Sequence, residues 1–486
     1  MRKLLAIIFA LVLALAFAVG YGAYKKGLSW RDLDLKTVRQ IVLDFGNGDE
    51  PKSDEPVVEV MPEVEENLSY DERMSKGDYF SERGFLTFAA NEYVKASNLE
   101  PKRMEPYSKL LETHFALGDY DKAKLNADTL LILDPQNLEA RYWLSQIHLK
   151  QGAYEEAKRI LGELAATSLQ DPRLDYDRAL LHILDGEYKD AKKLLESATG
   201  KSPAPELQAK VDRLLSAFQE FEFAQAAETL YLDELISRAL SQNGDYELAI
   251  FKLKNVLRTR SDLRDAWILL GFSYLNLEEY YFALTSFQRA YELDSEWPAT
   301  QYFLALTHQE LGDYEQAIQF FNFALSNQFD PPAVIHQKLA DLYLETENYE
   351  AAVQAYQKVL ELSDGDVNAF IRPIWIYLDK LSQPQEALKL AELSMTTFPD
   401  NPMAYNLLGW AQMGTGDLTA AEANLKKALE LSPSLAAAHF NLGKLFEQQG
   451  LMNKASEEYQ SAYDLDPNGS IGRSAAERYN ALMKTQ

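Results

Sequence analysis

Apolar residues recur at helical spacing along most of the chain, in runs of about three turns that alternate with short polar turns. The turns return at a fixed interval. Gly-Asp-Tyr or a close variant occurs at Gly118, Gly152, Gly186, Gly244 and Gly312, each followed five residues later by alanine. Those alanines measure the period. Ala89, Ala123, Ala157 and Ala191 are 34 apart, and after a gap of 58 come Ala249, Ala283, Ala317, Ala352, Ala387, Ala421 and Ala455 at 34 or 35. Eleven units therefore begin near Tyr70, Met104, Leu138, Pro172, Leu230, Arg264, Pro298, Ala333, Asn368, Pro402 and Ala436. Each is predicted to be two amphipathic helices, joined at a turn that glycine makes in eight units of eleven. The repeated alanine is expected to meet a small residue of the first helix, such as Gly77, Gly271, Ala305, Ala340, Gly409 or Gly443, so that the backbones approach closely. No single pair can bury its apolar face, so neighbours must stack.

Segments outside the period read differently. Leu4 to Ala23 is twenty residues without a charge, bracketed by Arg2 and Lys3 before and by Lys25 and Lys26 after. This is long enough to span a bilayer core and predicts an anchor helix over 4–24 within residues 1–27. The competing reading is a cleaved signal peptide, because Ala16-Phe17-Ala18 offers a small-x-small site. Residues 28–45 carry Leu35, Val38, Ile41, Val42 and Phe45 at helical spacing and predict a juxtamembrane amphipathic helix, with a helix packed on the array as the equal alternative. Residues 46–69, with three prolines and eight carboxylates, predict an acidic linker. Four units occupy 70–205 and seven occupy 230–469, while 206–229 has room for one helix bearing Leu214, Leu215, Phe218 and Phe221. That insertion reads equally as a degenerate unit or as a hinge. Residues 470–486 predict a capping helix, and Pro373 should kink the first helix of its unit or delay its start.

The unit from Arg264 places Trp267, Leu270, Gly271, Tyr274, Ala283, Phe287 and Ala290 at the signature positions of the tetratricopeptide repeat, with Ser295 where that family usually has proline. The array from Tyr70 to Gly469 resembles that family throughout, apart from the insertion. The resemblance implies an all-α, right-handed superhelical solenoid, here preceded by one N-terminal transmembrane helix. It also implies that the first helices line a concave, partner-binding face. Carried over by position, that face comprises Tyr142 and Gln146, Tyr176 and Leu180, Ile268 and Phe272, Tyr302 and Leu306, Arg372 and Ile376, Asn406 and Trp410, Phe440 and Lys444. Apolar side chains facing an open groove signal binding. A tightly wound superhelix burying them against their own neighbours is the equal alternative.

Charge and composition narrow the function. With 74 acidic against 48 basic residues the formal charge is -26, which repels a phosphate backbone, so nucleic acid is not an expected partner. There is no cysteine, which removes disulfides, thiolate metal sites and cysteine nucleophiles. His114, His148, His182 and His308 share the eleventh position of their units, and His336 and His439 share the fourth. Stacked equivalents lie about 10 Å apart, whereas zinc ligands lie about 2 Å from one centre. They read as packing residues, and neither a metal nor a cofactor is expected. No nucleotide-binding loop, nucleophile elbow or zincin helix occurs. The expectation is a non-enzymatic scaffold or adaptor tethered to a membrane by one pass. It would bind peptide or helix segments of other proteins in envelope assembly, secretion or polymer export, and the lipid bilayer through residues 4–24. Its array is placed on the extracytoplasmic side. A cytoplasm-facing adaptor for a membrane enzyme or protease, and a non-catalytic subunit of an enzyme complex, are the alternatives.

Overall fold

The computed structural model describes residues 68–167, 170–223, 229–362, 365–467 and 469–485, and their regular structure is entirely helical. The expectations for residues 1–67 lie outside the described residues. The reading of a single-pass membrane protein with an extracytoplasmic array is corrected by the helices themselves. Among the described residues no helix is long and apolar enough to cross a membrane. Even the nineteen-residue helix Pro205–Phe223 carries Glu206, Lys210, Asp212, Arg213, Glu220 and Glu222, which a hydrocarbon core would not accept unpaired.

The chain divides into two compact units, Met1–Pro101 and Lys102–Gln486. The described part of the first is one hairpin, Tyr70–Glu82 and Leu86–Leu99. Ser69 starts it with a capping box: its hydroxyl accepts from the Glu72 amide, and the Glu72 carboxylate accepts from the Ser69 amide at 2.8 Å. The fully buried Tyr93 crosses to the first helix and donates its hydroxyl to Asp78 at 2.7 Å.

The second unit is a run of hairpins from Glu105–Ala116 with Tyr120–Leu133 to Ala436–Gln448 with Met452–Leu465, closed by Ser470–Thr485. Local sequence starts the helices. The side chains of Asp119, Asn137 and Asp417 accept from the amide three residues on, and Asp171 and Asn401 from the amide two on. Proline sits in the first turn at Pro172, Pro298 and Pro402, where no amide is needed. The turns inside the units are left-handed throughout. Eight use glycine, and Glu278, Glu347 and Ser382 adopt φ of 60°, 57° and 53° at the other three. Glycine is thus the easy solution at these turns, and an exposed polar residue tolerates the strain.

All eleven period-setting alanines have no solvent exposure. The small residue of the first helix, however, meets something else. A Cβ on Gly271 would lie 2.6 Å from the Phe287 ring, on Gly77 2.4 Å from Tyr93, and on Gly443 2.7 Å from Tyr459. Each glycine therefore lies under the large side chain one turn beyond the alanine, where the second helix reaches back across the first.

Two hairpins depart from the repeat. Residues 206–229 hold most of the helix Pro205–Phe223, which seals Val211, Leu214 and Phe218 against Thr229–Asn243 in a core running from Tyr176 to Leu304. In the unit with Pro373, a 3-10 turn Val367–Phe370 precedes a five-residue α-helix, Ile371–Trp375, and a π turn, Ile376–Lys380. Proline has no amide to donate and its ring crowds the carbonyl four residues back. The chain responds with a late start and a wide turn closed by Leu381 N–H to Ile376 C=O at 2.9 Å.

Candidate concave-face site

The residues expected on the concave face separate into three groups within the second unit. In the first, Tyr142, Gln146 and Tyr176 border a cavity of about 560 Å³, and Leu180 is packed in the core. This cavity is held by buried polar groups. Gln146 Nε2 donates to Asp177 Oδ2 at 2.6 Å, and Tyr176 donates its hydroxyl to Asp245 Oδ2 at 2.6 Å. Asn243 Nδ2 donates to the Tyr176 oxygen at 3.2 Å and to the Lys210 carbonyl at 3.0 Å. The Arg173 guanidinium lies over the Tyr142 ring and is tied to Glu139 and Asp171. Burial pushes Asp177 up to about 7 and raises Asp245, whose tyrosine hydrogen bond acts the other way. Neither aspartate was a sequence candidate. Asp177 directly follows the inward-facing Tyr176, which was a usable signal; Asp245 belongs to the repeated turn string and is joined to the site only by the fold.

In the second group most side chains are half-buried against their own neighbours. Phe272 lies edge-on to Tyr246 and Phe303, with centroids 6.2 and 5.7 Å away, and Ile268 packs on the same core. Tyr302 stacks on Phe329 at 4.6 Å, and Leu306 packs beside it. Arg372 is exposed and Ile376 is wholly buried.

The third group is brought together. Asn406, Trp410, Phe440 and Lys444 line one cleft of about 1080 Å³. Trp375 and Met403 continue its wall towards the preceding hairpins, and Ile471 and Arg478 of the closing helix complete it. Asn441 Nδ2 donates to Asn406 Oδ1 at 3.0 Å, both residues being buried. The Lys444 ammonium lies 6.0 Å from the Trp410 centroid and 5.9 Å from that of Phe440. Burial lowers its pKa, Asp379 opposes the shift and Arg478 adds to it. Arg478 in turn donates to Glu447 at 3.3 Å. The cleft is thus a trough with apolar walls, two carboxamides, one half-buried ammonium, the Arg478 guanidinium and the carboxylates of Asp379 and Glu477.

Among the described residues no group of three or more His, Asp and Glu side chains could hold a metal ion. His439 bridges Glu458 and the Pro433 carbonyl, and His308 stacks on Phe320 at 5.5 Å.

Models of the tetratricopeptide repeat match residues 114–181, 298–364, 377–436 and 406–470. The chain is 32% identical over 102 residues to the heat shock protein STI1 of Saccharomyces cerevisiae, covering 21% of this chain and 17% of that protein. It is 25% identical over 99 residues to the protein O-mannosyl-transferase F38B6.6 of Caenorhabditis elegans, covering 20% and 14%. The chain thus spans less than a fifth of the length of either relative. Yeast Tom70 aligns structurally over 86% of this chain and 96% of its own, at 15% identity and a TM-score of 0.31.

Proposed function

Because the chain is a tetratricopeptide repeat protein, we propose that it is a scaffold or adaptor whose C-terminal cleft holds an apolar segment of a partner protein. Repeats of this kind build interaction surfaces and are generally non-catalytic. The transferase name borne by one relative belongs to a protein of which the matched stretch is 14%. The reading rests on one observation: Trp410 and Phe440, from successive hairpins, are half-buried and line one cleft of about 1080 Å³, whereas Phe272 and Tyr302, also half-buried, pack on the aromatic rings of Phe303 and Phe329. Rings held on rigid helices at the centre of a concave surface are the usual anchors of binding energy.

The test uses peptides selected from a random twelve-residue display library on the full chain. Their affinities are then measured by fluorescence anisotropy. Trp410→Ala with Phe440→Ala should weaken binding by about thirtyfold or more, the scale of a single anchor residue. Circular dichroism should stay helical. Retained affinity in the folded double variant would refute the cleft as the site.

A further inference from the structure

The cleft contains a charge that the protein leaves unanswered. Lys444 projects from Ala436–Gln448 between the Trp410 and Phe440 rings, and among the described residues none of the ion pairs or hydrogen bonds includes its ammonium. The buried Lys252 is tied to Asp233 at 3.0 Å, and the half-buried Lys201 to Asp175 at 2.7 Å. The one other cation lining this cleft, Arg478, is already engaged by Glu447. A desolvated ammonium without a carboxylate is destabilising, and methionine would fill the same space without that penalty. Asp379 and Glu477 line the same cleft, and Asp379 acts on the ammonium from a distance, but neither carboxylate is among its ion pairs or hydrogen bonds.

We propose that the cleft takes an internal segment of a partner protein bearing aspartate or glutamate beside bulky apolar residues, the carboxylate seating on Lys444 and the apolar residues on the flanking rings. This deepens the binding reading above and rests on it. The segment is internal because apolar wall continues on both sides of the ammonium, at Trp375 and Met403 towards the preceding hairpins and at Ile471 on the closing helix. A chain end seated at Lys444 would leave half of that wall uncovered. Asn406 and Asn441, joined to each other through one donor and one acceptor, keep the Asn441 carbonyl oxygen for a backbone amide of the passing segment.

The peptides selected on the full chain supply the test. Each is synthesised with its acidic residue or the matching amide, and with a free or amidated C-terminus. All are titrated against the wild type, Lys444→Met, Lys444→Arg and Trp410→Ala. Selected sequences should place Asp or Glu beside aliphatic or aromatic residues. Replacing the acid by its amide should weaken binding to the wild type and to Lys444→Arg about tenfold, and leave binding to Lys444→Met unchanged. Amidating the terminus should change nothing. Lys444→Met should melt no lower than the wild type, since it removes an unpaired buried charge; a lower midpoint would mean that the ammonium is structurally satisfied and would overturn the proposal. Equal acid-to-amide effects on Lys444→Met and wild type, or dependence on a free terminus, would do the same. Apolar peptides without acid preference that Trp410→Ala still weakens would leave the binding cleft standing and remove this inference; no peptide sensitive to Trp410→Ala would remove both.

Discussion

Two identical substitutions should act with opposite signs. Gly162 and Gly271 both lie inside helices, Tyr154–Ala165 and Arg264–Asn276. Alanine is favoured over glycine there by about 1 kcal/mol from backbone entropy alone. At Gly162 nothing lies within 4 Å of the added Cβ, so Gly162→Ala should realise that gain. At Gly271 the same carbon would sit 2.6, 2.7 and 2.8 Å from three atoms of the Phe287 ring. The ring is fully buried and stacked on Phe303 at 5.3 Å with planes 6° apart, so it cannot swing away. Overpacking of this kind costs about 1 to 3 kcal/mol. Taking about 2 and subtracting the propensity gain leaves a net loss of about 1 kcal/mol. In a stacked array such changes are best read locally, by hydrogen exchange followed by mass spectrometry. Amides of Arg264–Asn276 and Tyr280–Leu293 should exchange roughly fivefold faster in Gly271→Ala, and those of Tyr154–Ala165 roughly fivefold slower in Gly162→Ala. Slower exchange in Gly271→Ala would show that the two helices are not held at the distance that the ring imposes.

Other outcomes follow from the polar core and the caps. Asp177 titrates near 4 when unfolded and at about 7 in the fold. The native chain therefore holds a proton that the unfolded chain has lost between those values, and stability falls as pH rises from about 4 to about 7 and levels above it. Asp177→Asn should melt close to the wild type at pH 5 and above it at pH 8; parallel curves would contradict the assignment. Lys252→Ala removes the buried ammonium that pairs with Asp233 at 3.0 Å and leaves that half-buried carboxylate only the Tyr188 hydroxyl, so urea denaturation should show a loss of about 1 to 3 kcal/mol. Ser69→Ala breaks the capping box of the first hairpin and should lower local protection of Tyr70–Glu82 by about 1 kcal/mol, measured by the same exchange experiment. Ala283→Leu should cost about 1 to 3 kcal/mol by overpacking, and an unchanged melting temperature would show that the fully buried Ala283 site has room.

The periodic part of this fold was legible because each unit repeats the same local physics. The alanine interval located every second helix, and the glycines marked most turns. Glu278, Glu347 and Ser382 turn the chain just as sharply without glycine, so turn chemistry alone would have missed three units. Pro373 announced its disturbance, since a missing amide acts within one turn of helix. Contacts between units were not legible. The identity of the neighbour over Gly271 depends on how far the second helix reaches back, which spacing does not encode. Phe272 and Trp410 hold the same position in their units, yet Phe272 packs on Phe303 and Trp410 lines a cleft. What differs is the side chain supplied by the next hairpin. The apolar run near the start of the sequence suggested a membrane protein, whereas no helix among the described residues is long and apolar enough to cross a membrane.

The insertion Pro205–Phe223 changes how force would travel through residues 102–486. A plain stack of hairpins touches only its neighbours and can peel apart one unit at a time. Here Lys150 reaches Glu247 at 3.1 Å and Tyr176 reaches Asp245 at 2.6 Å, across 97 and 69 residues of sequence, with Asn243 fastening Tyr176 to the inserted helix. Pulled lengthwise, the flanking hairpins would give way in small, similar extensions. The stretch from Leu138 to Thr259 would resist as a rivet and release in one long step.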